Sequence, residues 1–147
     1  MCPIIRIFVG LVFLVSGVEK LLGPYQNFLY VVQAYQILPR WAEVMTARVF
    51  PWVELFIGLF AVLGLWGQWA LKGAVGICAI FIIVVGQALL RGLPIDQCGC
   101  FGELVHVPPR VIIVFDSMLL LLAFMLLRYP SKMDRWSLDK YFNASSI

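Results

Sequence analysis

The sequence has few charged residues and only one histidine. Asp, Glu, Lys and Arg make up 13% of its 147 residues, about half of the roughly 25% found in soluble domains. The hydrophobic fraction is 63% and the mean hydropathy is +0.96. This composition excludes an ordinary soluble domain and predicts a single domain embedded in a membrane. Internal repeats and low-complexity segments are also absent, and no nucleic-acid partner is expected.

Four apolar runs are long enough to cross a bilayer, at residues 4–22, 47–66, 72–90 and 111–127. A spanning helix needs about 20 residues, with a range of roughly 17–25, and a backbone in lipid must satisfy its own hydrogen bonds. The sequence therefore predicts an all-α fold, a four-transmembrane-helix bundle over residues 1–127. We expect the first run to be retained, because no small-x-small cleavage site follows Glu19-Lys20.

The connections between the spans carry their own signals. The only long loop, residues 23–46, is predicted to hold a short interfacial helix at 28–38, with an irregular lid as the alternative. Pro51 is predicted close to the first turn of the second span, where proline is tolerated. Gly67 is predicted in a tight turn before the third span, and Pro108-Pro109 is predicted to open the fourth.

The basic residues predict an orientation. Lys72 sits in a very short predicted loop, and four basic residues follow the last span within the tail 128–147. Cytoplasmic loops are enriched in Lys and Arg, so both termini are predicted to be cytoplasmic. The tail also contains aromatic residues and is interpreted as an anchor on anionic headgroups, which attract basic residues by about 1 kcal/mol each.

Polar side chains occur inside every predicted span. At 1.5 Å per residue, Glu19, Glu54, Gln87 and Asp116 fall within roughly 5–11 Å of the membrane face that carries the loop after the third span. Such residues are costly in lipid and are expected to face the bundle interior. They form either a polar pocket beneath that loop or a set of acids neutralised near the headgroups by neighbouring basic residues. The residues are Glu19, Lys20, Glu54, Gln87 and Asp116.

The loop itself contains Cys98-Gly99-Cys100. Cysteines two positions apart can pair only in a sharp turn, which Gly99 permits. A strained, exposed disulfide exchanges readily, so the pattern favours thiol–disulfide exchange over structural stapling. His106, the only histidine, is a candidate proton relay for a leaving thiolate, although a loop histidine is more often simply solvated.

Two other interpretations of the cysteines remain open. A structural zinc site takes four ligands, whereas Cys98, Cys100 and His106 supply three, with Glu103 a poor fourth; no metal is therefore predicted. The pair could also be two ordinary loop thiols. Cys78 is interpreted as an apolar filler, and Cys2 is assigned no role.

The polar and cysteine motifs together resemble the DoxX/MauE group of four-helix membrane proteins, most closely its MauE branch. The resemblance covers about residues 4–127, and its most specific part is the cysteine block. The matching positions are Gly10, Ser16-Gly17-x-x-Lys20, Tyr35-x-x-Leu38-Pro39, Pro51-x-x-Glu54-x-x-x-Gly58, Cys98-Gly99-Cys100-Phe101-Gly102 and Asp116.

This resemblance implies a redox-associated protein of the bacterial inner membrane. MauE-like proteins are thought to assist the maturation of disulfide-rich periplasmic proteins alongside a thioredoxin-like partner. DoxX-type relatives are tied to quinone-linked electron transfer, which makes quinone a candidate cofactor. Four-helix disulfide-generating enzymes use an additional cysteine pair beside the quinone, and this sequence has no second pair near Cys98 and Cys100.

The leading hypothesis is a membrane thiol–disulfide redox protein that exchanges electrons through Cys98 and Cys100 with a periplasmic thioredoxin-fold partner or client. Glu54 and Asp116 are expected to form the polar floor under the loop. The alternatives are a quinone-interacting membrane subunit of a respiratory or sulfur-oxidising complex, and a non-catalytic membrane scaffold.

Overall fold

The computed structural model describes residues 2–93 and 108–128, and this part of the chain is all α-helical. The all-α prediction is confirmed for these residues. They form five helices: α1 (Cys2–Leu22), α2 (Tyr25–Ala34), α3 (Arg40–Leu63), α4 (Gly67–Leu90) and α5 (Pro109–Arg128).

Three of the helices are long and apolar enough to cross a membrane. They cover Arg40–Leu63, Gln68–Leu90 and Arg110–Arg128. Helix α1 has 21 residues but includes Arg6, Glu19 and Lys20, and it is not among these three. The chain is therefore a multi-pass membrane protein with at least three candidate spans.

Helix α3 starts earlier than its apolar run suggests. It begins at Arg40 rather than near residue 47, so Pro51 lies inside the helix and the prediction of a first-turn proline was wrong. The segment before residue 47 is less apolar than a span, but it continues the same helix. At the other end Gly64 caps the helix with φ 71°, and α4 begins at Gly67, so the turn lies before Gly67.

Helix α2 occupies the first long loop, slightly earlier than the predicted range 28–38. It follows Pro24 and ends before Tyr35, with Phe28 as its buried residue. Its main partner is α3. This arrangement lays a short helix against the bundle beside the start of α3.

Helices α1 and α3 pack closely and run antiparallel. A Cβ atom added at Gly17 would lie 2.7 Å from the backbone nitrogen of Leu55, and one at Gly58 would collide with the backbone nitrogen of Leu14. Small residues at such points let membrane helices approach each other closely. This contact fixes which face of α1 is turned toward α3.

The second main helix pair is α4 with α5, and the core lies between the two pairs. Cys78 is 2% exposed within a cluster of apolar side chains. The buried members of this cluster are Val9, Phe13, Ala74, Ile77, Cys78 and Leu119.

Candidate functional site: a buried ion pair in an aromatic cage

A buried ion pair joins α1 to α3. The Nζ atom of Lys20 lies 2.7 Å from Oε2 and 2.9 Å from Oε1 of Glu54. Lys20 also donates a hydrogen bond of 3.1 Å to Oγ of Ser16, which in turn donates one of 3.3 Å to Oε2 of Glu54. Ser16 and Lys20 are four residues apart and so share one helix face, and Gly17 between them brings that face against α3.

Both charges of this pair are removed from solvent. Lys20 is 6% exposed and Glu54 is 2% exposed. A single charge at this depth of a membrane is expensive, whereas a hydrogen-bonded pair of opposite charges offsets much of the desolvation cost. The pair therefore places an ammonium and a carboxylate group inside the bundle, and their charges cancel.

Three phenyl rings surround the Lys20 ammonium. Its Nζ lies 5.0 Å from the ring centroid of Phe28, 5.8 Å from that of Phe50 and 5.5 Å from that of Phe81. A cation within about 6 Å of a ring centroid is attracted to the ring face. The rings come from α2, α3 and α4, so Lys20 on α1 links four helices; we call this group the Lys20 cage.

Asp116 on α5 reaches the other side of the pair. It is 7% exposed and shares with Ser16, Glu54 and Cys78 the lining of a cavity of about 30 Å³. A water molecule needs roughly 10–15 Å³ of such volume and two to four polar partners. The cavity is therefore large and polar enough to hold one or two waters between the two carboxylates.

The predicted polar residues thus separate into two groups. Lys20 and Glu54 are in direct contact, and Asp116 faces Glu54 across the small cavity. Glu19 and Gln87 are half-buried near the ends of α1 and α4 and do not line that cavity. The predicted redox and relay residues Cys98, Cys100 and His106 lie outside the described residues.

Three buried polar residues were not identified from the sequence as site candidates. Arg6 is 1% exposed, Ser16 is 5% exposed and Glu43 is 8% exposed. Ser16 was part of the motif Ser16-Gly17-x-x-Lys20, whose four-residue spacing could have indicated its contact with the Lys20 side chain. Glu43 starts a buried stripe on α3 that includes Glu54, at the helical spacing 43, 47, 51, 54, 58 and 61.

A larger cavity lies beside the Lys20 cage. It has a volume of about 320 Å³ and lies between α2, the loop after it, α3 and α4. Phe28, Phe50 and Phe81 contribute to its wall, so the same three rings separate the cavity from the ammonium. The remaining lining residues are Val32, Tyr35, Ile37, Leu38, Thr46, Ile80 and Val84.

The fold and site define an α-helical, multi-pass membrane protein with a buried ion pair between its first and third helices. The sequence profile of the family described as "Methylamine utilisation protein MauE" matches residues 1–129. The chain therefore belongs to the MauE family, as the motifs predicted.

Two curated relatives share this family's name, each being called methylamine utilization protein MauE. The protein of Paracoccus denitrificans is 28% identical over 116 residues, which is 79% of this chain and 62% of the relative. The protein of Methylorubrum extorquens is 30% identical over 102 residues, 67% of this chain and 55% of the relative. The matched region thus spans less than two thirds of either relative. No solved structure is significantly similar to the chain.

Proposed function

We propose that the chain is an integral membrane thiol–disulfide redox protein that exchanges electrons with a periplasmic thioredoxin-like partner or client during protein maturation. The observation that carries this proposal is the sequence Cys98-Gly99-Cys100, in the segment that joins α4 to α5. A pair closed over so short a ring would be strained, and strained disulfides exchange readily with thiolates. The pair would pass two electrons per exchange and end as a dithiol or a disulfide.

The position of the polar cluster supports this role. Lys20 lies near the end of α1. Asp116 lies about 10 Å along the helix axis from the start of α5, at 1.5 Å per residue. Because α4 ends and α5 begins at the face where the cysteine segment is attached, Lys20 and Asp116 lie toward that face, and Glu54 contacts Lys20 from α3. We propose that Glu54 and Asp116 form a polar floor under the segment.

We further propose four spans, with α1 as the fourth and α2 lying at the interface. Helix α1 has 21 residues, about 31 Å at 1.5 Å per residue, which matches a hydrocarbon core of about 30 Å. Its charges Arg6 and Lys20 are buried against the bundle rather than facing lipid. In this arrangement residues 1–127 form the membrane domain and residues 128–147 form a cytoplasmic tail. The protein lies in the bacterial inner membrane, with both termini in the cytoplasm.

The names of the two relatives suggest where this chemistry is used. Both are called methylamine utilization proteins. We therefore propose that the client or partner of this chain belongs to methylamine utilisation.

The deciding experiment is the redox state of the cysteine pair in intact cells. In a Cys2→Ser/Cys78→Ala background, an impermeant thiol label should modify Cys98 and Cys100 only partly before mild reductant and fully after it. Changing either cysteine to serine should abolish maturation of the client. Normal maturation in both serine variants would contradict the proposal.

The same labelling separates the two alternatives. A pair that is always oxidised and resists mild reductant would favour a non-catalytic scaffold. A pair that is always reduced would favour a quinone-interacting subunit of a respiratory or sulfur-oxidising complex, for which the aromatic rings around Lys20 give structural support. That function requires quinone turnover that responds to Glu54→Gln.

A further inference from the structure

The cavity of about 320 Å³ beside the Lys20 cage has the size of a ligand site. Small-molecule pockets in proteins have volumes of about 300–1,000 Å³ and are mostly apolar. This one is bounded by the short helix α2 on one side and by the spanning helices α3 and α4 on the others. It is also much larger than the cavity of about 30 Å³ at Asp116, which is of water size.

The cavity opens toward lipid. Among its lining residues, Ile80 is 57% exposed, Ile37 is 40% exposed and Leu38 is 39% exposed. Ile80 lies in the middle of Gln68–Leu90, one of the three candidate spans. A molecule dissolved in the bilayer could therefore enter beside α4 without crossing water.

The walls select for an uncharged ligand. Within residues 2–93 and 108–128, no Asp, Glu, Lys or Arg lines the cavity, and a charged group placed there would lose its hydration without gaining a partner from these walls. Lys20 stands on the other side of the phenyl rings, already paired with Glu54. Its ammonium group contacts the rings but does not line the cavity.

The rings favour a flat ligand over a flexible chain. Phe28 and Phe50 stack with centroids 6.1 Å apart, and Phe50 and Phe81 meet edge to face at 5.4 Å. Aromatic groups continue such arrangements with further rings at centroid distances of about 4.5–7 Å. A rigid ring also loses less conformational entropy on binding than an acyl chain does.

We propose that this cavity binds the flat, uncharged ring of a lipid-soluble molecule that enters from the bilayer. A quinone head group belongs to this class, and so does a ring without redox activity. Binding of the ring does not depend on the thiol chemistry proposed for Cys98 and Cys100.

The test is binding to the full chain carrying Cys98→Ser and Cys100→Ser, in nanodiscs of phosphatidylcholine. Three probes are compared with empty nanodiscs by equilibrium dialysis: a short-chain naphthoquinone, the matching alkylnaphthalene, and decanol as a chain without a ring. We expect both ring probes to bind saturably and decanol not to displace them. Because the cysteines are absent, failure here would leave the thiol proposal standing.

A pair of variants locates the site. Val84→Trp places a large side chain in the cavity wall, whereas Ile83→Trp adds the same side chain to the 68% exposed face of the same helix. Ring binding should weaken at least about tenfold, or 1.4 kcal/mol, in the first variant and stay unchanged in the second. Thr46→Phe also fills the cavity, from α3, and replaces Val84→Trp as the test variant if Val84→Trp does not fold. No saturable binding, equal binding of decanol, or unchanged binding in a folded cavity-filling variant would each overturn the proposal.

Discussion

Lys20 contacts side chains from four helices of the described structure. Its ammonium group contacts Glu54 and Ser16 and three phenyl rings from three other elements. Inside a low-dielectric bundle these contacts are strong only when they are all present, because each charge depends on its partner for compensation. The pair should therefore be intolerant of single changes and tolerant of joint replacement.

The first prediction is a double-mutant cycle on this pair. Glu54→Leu or Lys20→Met alone leaves one buried charge without its counter-charge, and each should lower the free energy of unfolding by about 3–5 kcal/mol. The double variant should recover most of that loss, since buried ion pairs are often replaced by apolar residues at little cost. The measurement is reversible unfolding in mixed micelles, with the coupling free energy taken from the four proteins. A double variant as unstable as the sum of the singles would show that the pair does not act as a unit.

The sequence could locate these residues but could not pair them. Glu54, Lys20 and Asp116 stand out because ionisable residues in apolar runs are rare and face inward. Which of them touch depends on how α1 is rotated about its own axis, and that rotation is set by the contacts of Gly17 and Gly58 with the facing helix. Arg6 and Glu43 were not taken as site candidates because they lie near helix ends, where a charge usually reaches the headgroups.

At the scale of elements, the α1–α3 contact depends on the absence of side chains at a few positions. A Cβ at Gly58 would meet backbone atoms of Leu14 and the carbonyl oxygen of Gly10, neither of which can move like a side-chain tip. Gly76 on α4 is also helical, but a Cβ there would meet nothing within 4 Å. The two glycines form a matched pair for substitution.

The second prediction is that Gly58→Ala and Gly76→Ala have opposite effects. Overpacking costs about 1–3 kcal/mol, so Gly58→Ala should lower the Tm of the protein in detergent. Gly76→Ala should leave the Tm unchanged or raise it, because alanine exceeds glycine in helix propensity by about 1 kcal/mol. Thermal scanning of the two purified variants against the parent makes the comparison. An equal fall in both would mean that the close approach at Gly58 is not the cause.

The third prediction concerns the attachment of α2. Phe28 is its buried residue and contacts the Lys20 ammonium, so Phe28→Ala should release the helix from the bundle, in line with the roughly 3–5 kcal/mol lost when a buried Phe is truncated. Hydrogen exchange across Tyr25–Ala34 should rise in this variant. Tyr30→Ala serves as the control, because Tyr30 is 70% exposed. Equal exchange in the two variants would show that α2 is held elsewhere.

The elements themselves were partly predictable. Three of the four predicted apolar runs coincide with candidate spans, because a backbone in lipid must satisfy its own hydrogen bonds. The ends of the helices were less predictable, as α3 shows. This helix begins at Arg40, seven residues before the apolar run, because the more polar residues 40–46 are also helical. Hydropathy reports what faces lipid, whereas the helix end is set by Pro39 and by packing against α2.

At the scale of the whole molecule, the number of spans determines on which side of the bilayer the first turn of α1 lies relative to the α4–α5 connection. If α1 crosses the bilayer, its first turn lies on the side of the α3–α4 turn, and α2 lies on the opposite side with the α4–α5 connection. If α1 did not cross, its first turn and α2 would share one side, and α1 would have to give up its antiparallel contact with α3. The two arrangements therefore differ in the relative exposure of the two ends of α1.

The fourth prediction tests this difference with single cysteines in a chain whose four native cysteines are serine. The sites are Ile4→Cys, Gln26→Cys and Gln68→Cys, all at exposed positions in the structure. An impermeant maleimide applied to spheroplasts should label Gln26→Cys at once, and should label Ile4→Cys and Gln68→Cys only after permeabilisation. Labelling of Ile4→Cys together with Gln26→Cys would mean that α1 does not cross. The expected pattern would put Cys98 and Cys100 on the periplasmic side with α2, because α4 would then return the chain to that face, where a thioredoxin-fold partner could reach them.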